Sequence, residues 1–172
     1  MLDQELETRI AAWLRRQWGV EEEGGCFYTE LFADYRDELD KRDLQAIADS
    51  YTTFLYGGAL GVDAWAAEIV LRLRKNLPLT LIAILPFPGY NADVTENSYR
   101  QTIAASDRIL CVEPVRRMAA LAARDRYMID RSSRLIAVYD EHSRIHSGTW
   151  RALCYARKKQ LGIRQIRWME YL

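Results

Sequence analysis

The chain is poor in cysteine and proline, with three of the first and four of the second in 172 residues. Cys26, Cys111 and Cys154 are odd in number and far apart, and none belongs to a Cys-x-x-Cys pair. That argues against a disulfide framework or a cysteine zinc site, and for reduced, core-filling thiols in a cytoplasmic protein. With only nine glycines there is no low-complexity tract or evident linker, and no internal period repeats. No apolar run approaches the ~20 residues of a membrane helix, so no membrane insertion is expected. The acidic, amphipathic N-terminus does not read as a signal peptide. An excess of charge is missing too, since 24 basic residues face 24 acidic ones. There is no global pull toward nucleic acid or an anionic membrane, which leaves only local patches. His142 and His146 are the only histidines, in a polar stretch with Asp140 and Glu141. Without a His-Glu-x-x-His pattern or a third histidine, no metal is expected. Gly-x-Ser-x-Gly is absent as well, so no serine-hydrolase set is indicated.

What is present is concentrated in Tyr51-Thr52-Thr53-Phe54-Leu55-Tyr56-Gly57-Gly58-Ala59-Leu60-Gly61-Val62-Asp63-Ala64-Trp65. The first part is β-branched and aromatic and suits a packed strand. Val62, Trp65, Ala66, Ile69, Val70 and Leu73 then recur at helical spacing, a stripe facing a core. The glycines between them allow a tight turn and close approach. A strand, a glycine turn and a helix together aim bare N–H groups and a positive dipole end outward, an arrangement suited to phosphate. Gly57-Gly58-x-x-Gly61 is neither the Gly-x-Gly-x-x-Gly fingerprint nor a Walker loop. The spacing alone leaves open a ligand turn or a turn whose glycines serve packing. Asp63 repels phosphate, so it either interacts with the helix N-terminus or accepts from a neutral hydroxyl such as a ribose.

Periodicity organises the rest. Residues 3–18 read as a helix with Leu6, Ile10, Trp13 and Leu14 on one face, and Trp13 and Trp18 pack on the body or a partner. Glu21-Glu22-Glu23-Gly24-Gly25 ends it, and Cys26-Phe27-Tyr28-Thr29 is a short strand candidate. A helix over 34–49 points Leu39, Leu44, Ile47 and Ala48 inward. It carries Asp34, Asp37, Glu38, Asp40, Lys41, Arg42 and Asp43 on a solvated side. Strands are expected at 52–56, 79–85, 108–112, 135–139 and 163–168. Helices are expected at 61–75, 94–105, 116–131 (Met118, Ala119, Ala122 and Met128 on one side) and 149–161. Residues 141–148 read as a polar loop. Such alternation means βαβ units with right-handed crossovers and a parallel sheet covered on both faces, with ligands beyond the carboxyl ends of the strands.

Gly57-Gly58-Ala59-Leu60-Gly61-Val62-Asp63-Ala64-Trp65-Ala66-Ala67-Glu68 closely resembles the signature of YpsA-like proteins. These are bacterial members of the SLOG superfamily, with the DNA-processing protein DprA and the Lonely-guy phosphoribohydrolases. Ile82-Ala83-Ile84-Leu85-Pro86-Phe87 resembles the family's strand and proline loop. Arg124-Asp125-Arg126-Tyr127-Met128-Ile129-Asp130-Arg131-Ser132 is similar to its Arg-x-x-Tyr-Met-Val-Asp-x-Ser segment, and Leu135-Ile136-Ala137-Val138-Tyr139-Asp140 to the strand that follows. Ser147-Gly148-Thr149 stands where the family has Gly-Gly-Thr. The resemblance runs from Thr52 to Trp168.

It implies an α/β, three-layer Rossmann-like domain with a mostly parallel central sheet flanked by helices. The domain would span 1–172, with 1–25 as a divergent helical extension. The implied ligand is a nucleotide or a nucleotide-derived molecule such as ADP-ribose or an NAD derivative, held by a sensor or regulatory module. By position, Gly57, Gly58, Gly61 and Asp63 line the first phosphate turn, Gly148 and Thr149 form a second, and Pro86 and Phe87 wall the base or sugar. Arg126 and Asp130 share a helix face, either at the ligand or as a plain i,i+4 ion pair. Two departures stand out. The family opens with a strand ending in Thr-Gly-His-Arg, which this chain lacks. After Thr149 come Trp150, Arg151 and Ala152, without the glutamate of the Lonely-guy enzymes, which disfavours that hydrolysis. An enzyme cleaving an N-glycosidic or phosphate bond is the alternative, with Asp63 or Asp130 as acid or base. A pocket-degraded module acting through protein contacts, or as a homo-oligomer, is another. The arginines at 108, 116, 117, 124, 126, 131 and 134 could form a wall for single-stranded nucleic acid. Overall neutrality and the absence of DprA's further domains disfavour it.

Overall fold

A computed structural model describes residues 27–116, 119–139 and 147–167. The expected helix at 3–18, Cys26, Met118, both histidines and Trp168 lie outside the described residues. Within them, helices and strands alternate. Helix α1 (Phe27–Ala48) leads to β1 (Thr53–Tyr56), α2 (Val62–Leu73), β2 (Thr80–Leu85) and α3 (Asn97–Ala105). Then follow β3 (Arg108–Cys111), α4 (Ala120–Asp130), β4 (Arg134–Val138), α5 (Gly148–Lys158) and β5 (Gly162–Ile166). Every pairing is parallel, and helices flank the sheet in a Rossmann-like three-layer arrangement.

Strand β2 is central in its group because its residues are apolar without interruption. Leu81 and Ile84 point to opposite faces of the pleat, and each is 1% exposed. It pairs with β1 from Thr53↔Thr80 to Tyr56↔Ala83 and with β3 from Ile82↔Arg108 to Leu85↔Cys111. Among the described residues strand β4 pairs with β5 alone, from Arg134↔Gly162 to Val138↔Ile166. Pairing therefore runs in two groups, β1-β2-β3 and β4-β5. One buried cluster still reaches both groups, beside a smaller one of Ala137, Tyr139 and Leu153. Ile166 is buried in the same cluster as Tyr56, Ala67, Ile69, Val70 and Leu81, and Ile136 and Val138 pack against it. The side chain at the amino end of β4 reaches the segment that leads into β1. Arg134 pairs with Asp49 at 2.6 Å and covers the ring of Tyr51 at 4.6 Å.

Four local expectations are corrected. Phe27–Thr29 forms the first turn of α1, not a strand. No glycine or proline separates it from the helical stretch downstream, and extending a helix costs less than starting a new element. The charged side of α1 is not wholly solvated, because Asp40 and Asp43 are buried where α1 packs on α2. Asp40 accepts from Arg72 at 2.8 Å. Cys111 and Cys154 are exposed, Cys111 because β3 is an edge strand whose residues all reach solvent. On α4 the buried positions are Ala120 and Ile129, whereas Ala119 is exposed. Among the described residues no helix is long and apolar enough to cross a membrane.

Ile69 is fully buried in the shared core. Truncating it to alanine is expected to lower the unfolding free energy by ~2–5 kcal/mol, measured by denaturant titration. A loss within experimental error would remove this cluster as the main source of stability.

Candidate functional site

The turn after β1 is fixed from three sides. Tyr56, at the end of β1, shares a 2.9 Å hydrogen bond with Ser106 Oγ beyond α3. Burial pushes its hydroxyl up to about 12, so it stays neutral. The carbonyl of Gly57 accepts from Arg124 Nη1 at 3.0 Å, and a Cβ there would come within 2.9 Å of the guanidinium. The carbonyl of Gly58 accepts from the Tyr99 hydroxyl and from Asn91 Nδ2. Gly58 has φ +67°, and an added Cβ would overlap Leu85 Cδ2. Gly61, which precedes α2, has φ +81° with open space around it.

Asp63 sits in the first turn of α2 and reaches back to accept from the Ala59 N–H at 2.9 Å. Desolvation raises its pKa above the ordinary carboxylate value, against the lowering effects of Ala59, Arg124 and Gly57. Arg124 projects from α4 toward this turn and is paired with Asp125 at 2.9 Å. Burial works against its charge, but Asp125 and then Asp63 outweigh that and hold it firmly protonated. Its guanidinium also lies 5.9 Å from the Tyr90 ring, which meets Phe87 edge-on.

Across the sheet, Ser147 caps α5 by accepting from the Trp150 N–H at 3.1 Å. Gly148 and Thr149 are exposed in the first turn. A cleft of about 1470 Å³ runs between the two strand groups. Ala59, Val62 and Asp63 border it on one side, Gly148, Thr149 and Trp150 on the other, and Arg124, Asp125 and Arg126 come from α4.

Of the residues singled out from sequence, the fold brings Asp63, Arg126, Gly148 and Thr149 to this cleft. Gly57, Gly58 and Gly61 shape the turn without lining it. Pro86 is buried at the end of β2, and Phe87 stands beside Tyr90 and 5.9 Å from Arg116, off the cleft wall. Asp130 points elsewhere. It accepts from the Tyr155 hydroxyl and pairs with Lys159, both at 2.9 Å, and these bonds lower its pKa. Arg126 lies 5.8 Å over the Tyr155 ring, so the two residues meet through that tyrosine. Sequence reasoning missed Arg124, Asn91 and Tyr99 as the groups that hold the turn. Arg124 opens the Arg-x-x-Tyr-Met segment, and that was its one signal.

Two expectations follow. Gly58→Ala adds an overlap with Leu85 to the ~1–2 kcal/mol cost of an alanine at positive φ, and is expected to lower stability by at least that amount in denaturant titrations. A loss within experimental error would contradict the packing argument. Asp63, with a native pKa above its unfolded value, holds a proton that the unfolded chain releases as pH rises past the ordinary value of 3.8. Its contribution to stability therefore falls as pH climbs from there through the raised native pKa, and is constant beyond. Subtracting the acid-range stability profile of Asp63→Asn isolates this trend, and a difference that rises with pH would overturn it.

Comparison with known proteins places these features in a lineage. The UPF0398 protein lin2003 of Listeria innocua is 32% identical over 114 residues, 63% of this chain and 63% of that protein. The UPF0398 proteins of Halalkalibacterium halodurans and Brevibacillus brevis are 31% and 32% identical, each over 60% of this chain and 58% of the relative. The chain thus spans about three fifths of the length of the curated relatives it matches. A family model described as the YspA SLOG family matches residues 35–171, which include the glycine turn, Arg124, the cleft and the capped α5. The chain belongs to the YspA (YpsA-like) SLOG family.

Proposed function

We propose that the cleft binds a nucleotide-derived ligand of the ADP-ribose or NAD kind and that the protein acts as a cytoplasmic sensor or regulatory module. The observation that carries this reading is the convergence of the Ala59–Asp63 turn and the Gly148–Thr149 helix start on one cleft beside Arg126. Membership of a SLOG family supports a nucleotide-related role. The chemistry divides between the two sides. Asp63 already occupies the Ala59 amide and is unsuited to phosphate, so its side of the cleft takes a neutral ribose hydroxyl. Ser147 occupies the Trp150 amide, which leaves Gly148, the Thr149 hydroxyl, the helix dipole and Arg126 for a phosphate.

One observation favours a hydrolase as the second reading. Asp63 is a carboxyl of raised pKa at the cleft, as a general acid requires, whereas Asp130 is held ionised by Lys159 and Tyr155.

Thermal-shift titration with ADP-ribose, NAD, AMP and inorganic phosphate tests the binding reading. Ligand at ~100 times its Kd stabilises by ~2.7 kcal/mol, which raises Tm by several degrees. Arg126→Ala is expected to weaken binding by ~10-fold or more, the value of a charge-assisted hydrogen bond. No stabilisation by any of the four would contradict it. Product formation on incubation that is lost in Asp63→Ala would establish the hydrolase instead.

A further inference from the structure

A second recess lies apart from the cleft. It is built from the carboxyl end of β2, the loop at 90–94, one face of α3 and Ile109 of β3, and holds about 390 Å³. That is within the ~300–1,000 Å³ of small-molecule pockets. Among the described residues none borders both spaces. Strand alternation accounts for the separation, since Arg108 and Leu110 face the cleft and Ile109 between them faces the recess. The loop that forms its outer wall is fixed. Asn91 has φ +54°, a left-handed conformation that asparagine adopts more readily than most residues. Its Nδ2 donates to the Gly58 carbonyl at 3.2 Å and to the Tyr99 hydroxyl at 3.3 Å. Tyr99 is buried and itself donates to Gly58.

With those donors engaged by the backbone of the glycine turn, the walls of the recess are apolar. Leu85, Val94, Ile103, Ala104 and the Tyr90 ring form them. Ile109 is 47% exposed there, apolar surface that an occupant takes out of water. One charge stands at the rim. Arg100 lies on the exposed side of α3, borders the recess and has no ion pair among the described residues. Glu96, one helical turn earlier, is engaged by the Ser98 hydroxyl at 2.8 Å, and Asp93 is exposed without bordering the recess. Apolar walls with one cation at the mouth select a small apolar molecule that ends in a carboxylate. Its hydrocarbon part buries the walls, and the guanidinium fork matches the two carboxylate oxygens. An amine of the same shape meets Arg100 as a like charge.

We propose that this recess is a second ligand site, for a small aliphatic or aromatic carboxylic acid, and that its occupancy is coupled to the glycine turn. The coupling runs through residues the two places share. Asn91 and Tyr99 line the recess and hold Gly58. Tyr90 lines it too, and its ring lies 5.9 Å from the Arg124 guanidinium that bonds Gly57. A ligand that fits the recess only with these side chains in place favours the turn in the shape described above. The site is distinct from the cleft and holds whether or not a nucleotide binds there.

Titrating the isotope-labelled full chain with octanoate and with phenylpropionate, and following amide chemical shifts, tests it. Saturable shifts are expected at Leu85, Asn91, Val94, Ile103 and Ile109, and with the same midpoint at Gly57 and Gly58. Octylamine is expected to bind ~10-fold or more weakly than octanoate, and Arg100→Gln to weaken octanoate by ~10-fold or more while octanol is unaffected. Ala104→Trp, at an exposed position, fills the mouth and is expected to abolish the shifts. No saturation by either acid, equal binding of octanoate and octylamine, or a folded Ala104→Trp variant that still binds would overturn the site. Saturation at the recess with Gly57 and Gly58 unmoved would overturn the coupling. If Ala104→Trp does not fold, Arg100→Gln and the octylamine comparison decide the matter alone.

Discussion

The hydrogen bond from Arg124 to the Gly57 carbonyl is the contact on which the site depends. It reaches from α4, which feeds β4, to the turn that follows β1, so it ties together two strand groups that share no ladder among the described residues. A Cβ at position 57 would come within 2.9 Å of the guanidinium, so glycine there lets it approach without displacement. Asp125 and Asp63 keep that cation charged in a buried setting, and the cation limits the cost of burying Asp63. Break this contact, and the carboxylate at the cleft, the amide it occupies and the entry to α2 all lose their reference point.

Around that contact the molecule uses its own side chains to fill much of what a bare glycine turn would offer an anion. Asp63 takes the Ala59 amide and Ser147 the Trp150 amide. The consequence is a division of labour. The α2 side becomes an acceptor surface suited to hydroxyls, and the α5 side, with Arg126 near, keeps the positive potential. Under the proposed function, a ligand carrying both ribose and phosphate is the one that uses both sides.

Much of the architecture was legible in the sequence because its signals are local. The unbroken apolar stretch of β2 and the helical stripe through Ile69 and Leu73 each announce one element. Asp40 and Asp43 were misread for the opposite reason. A run of charge normally marks a wet face, and only the packing of α1 on α2, with Arg72 across the contact, reveals two buried carboxyls. Arg124 and Arg126 lie in one resembling segment, yet which of them faces the glycine turn depends on how α4 crosses the sheet. That β1 and β4 share no ladder among the described residues is likewise invisible to periodicity, since pairing between strands distant in sequence is set by tertiary packing. Gly148 and Thr149 were singled out through the resemblance and stand in the first turn of α5 at the cleft, whereas Asn91 and Tyr99 hold Gly58 from a loop and helix that carried no motif.

The account rests on two separate backbone segments facing one bound molecule. Titrating isotope-labelled protein with ADP-ribose and following amide chemical shifts tests that most directly. The account predicts that the amides of Ala59–Asp63 and of Gly148–Thr149 move together, with one saturation curve. Movement of one group alone, or of neither, would contradict it.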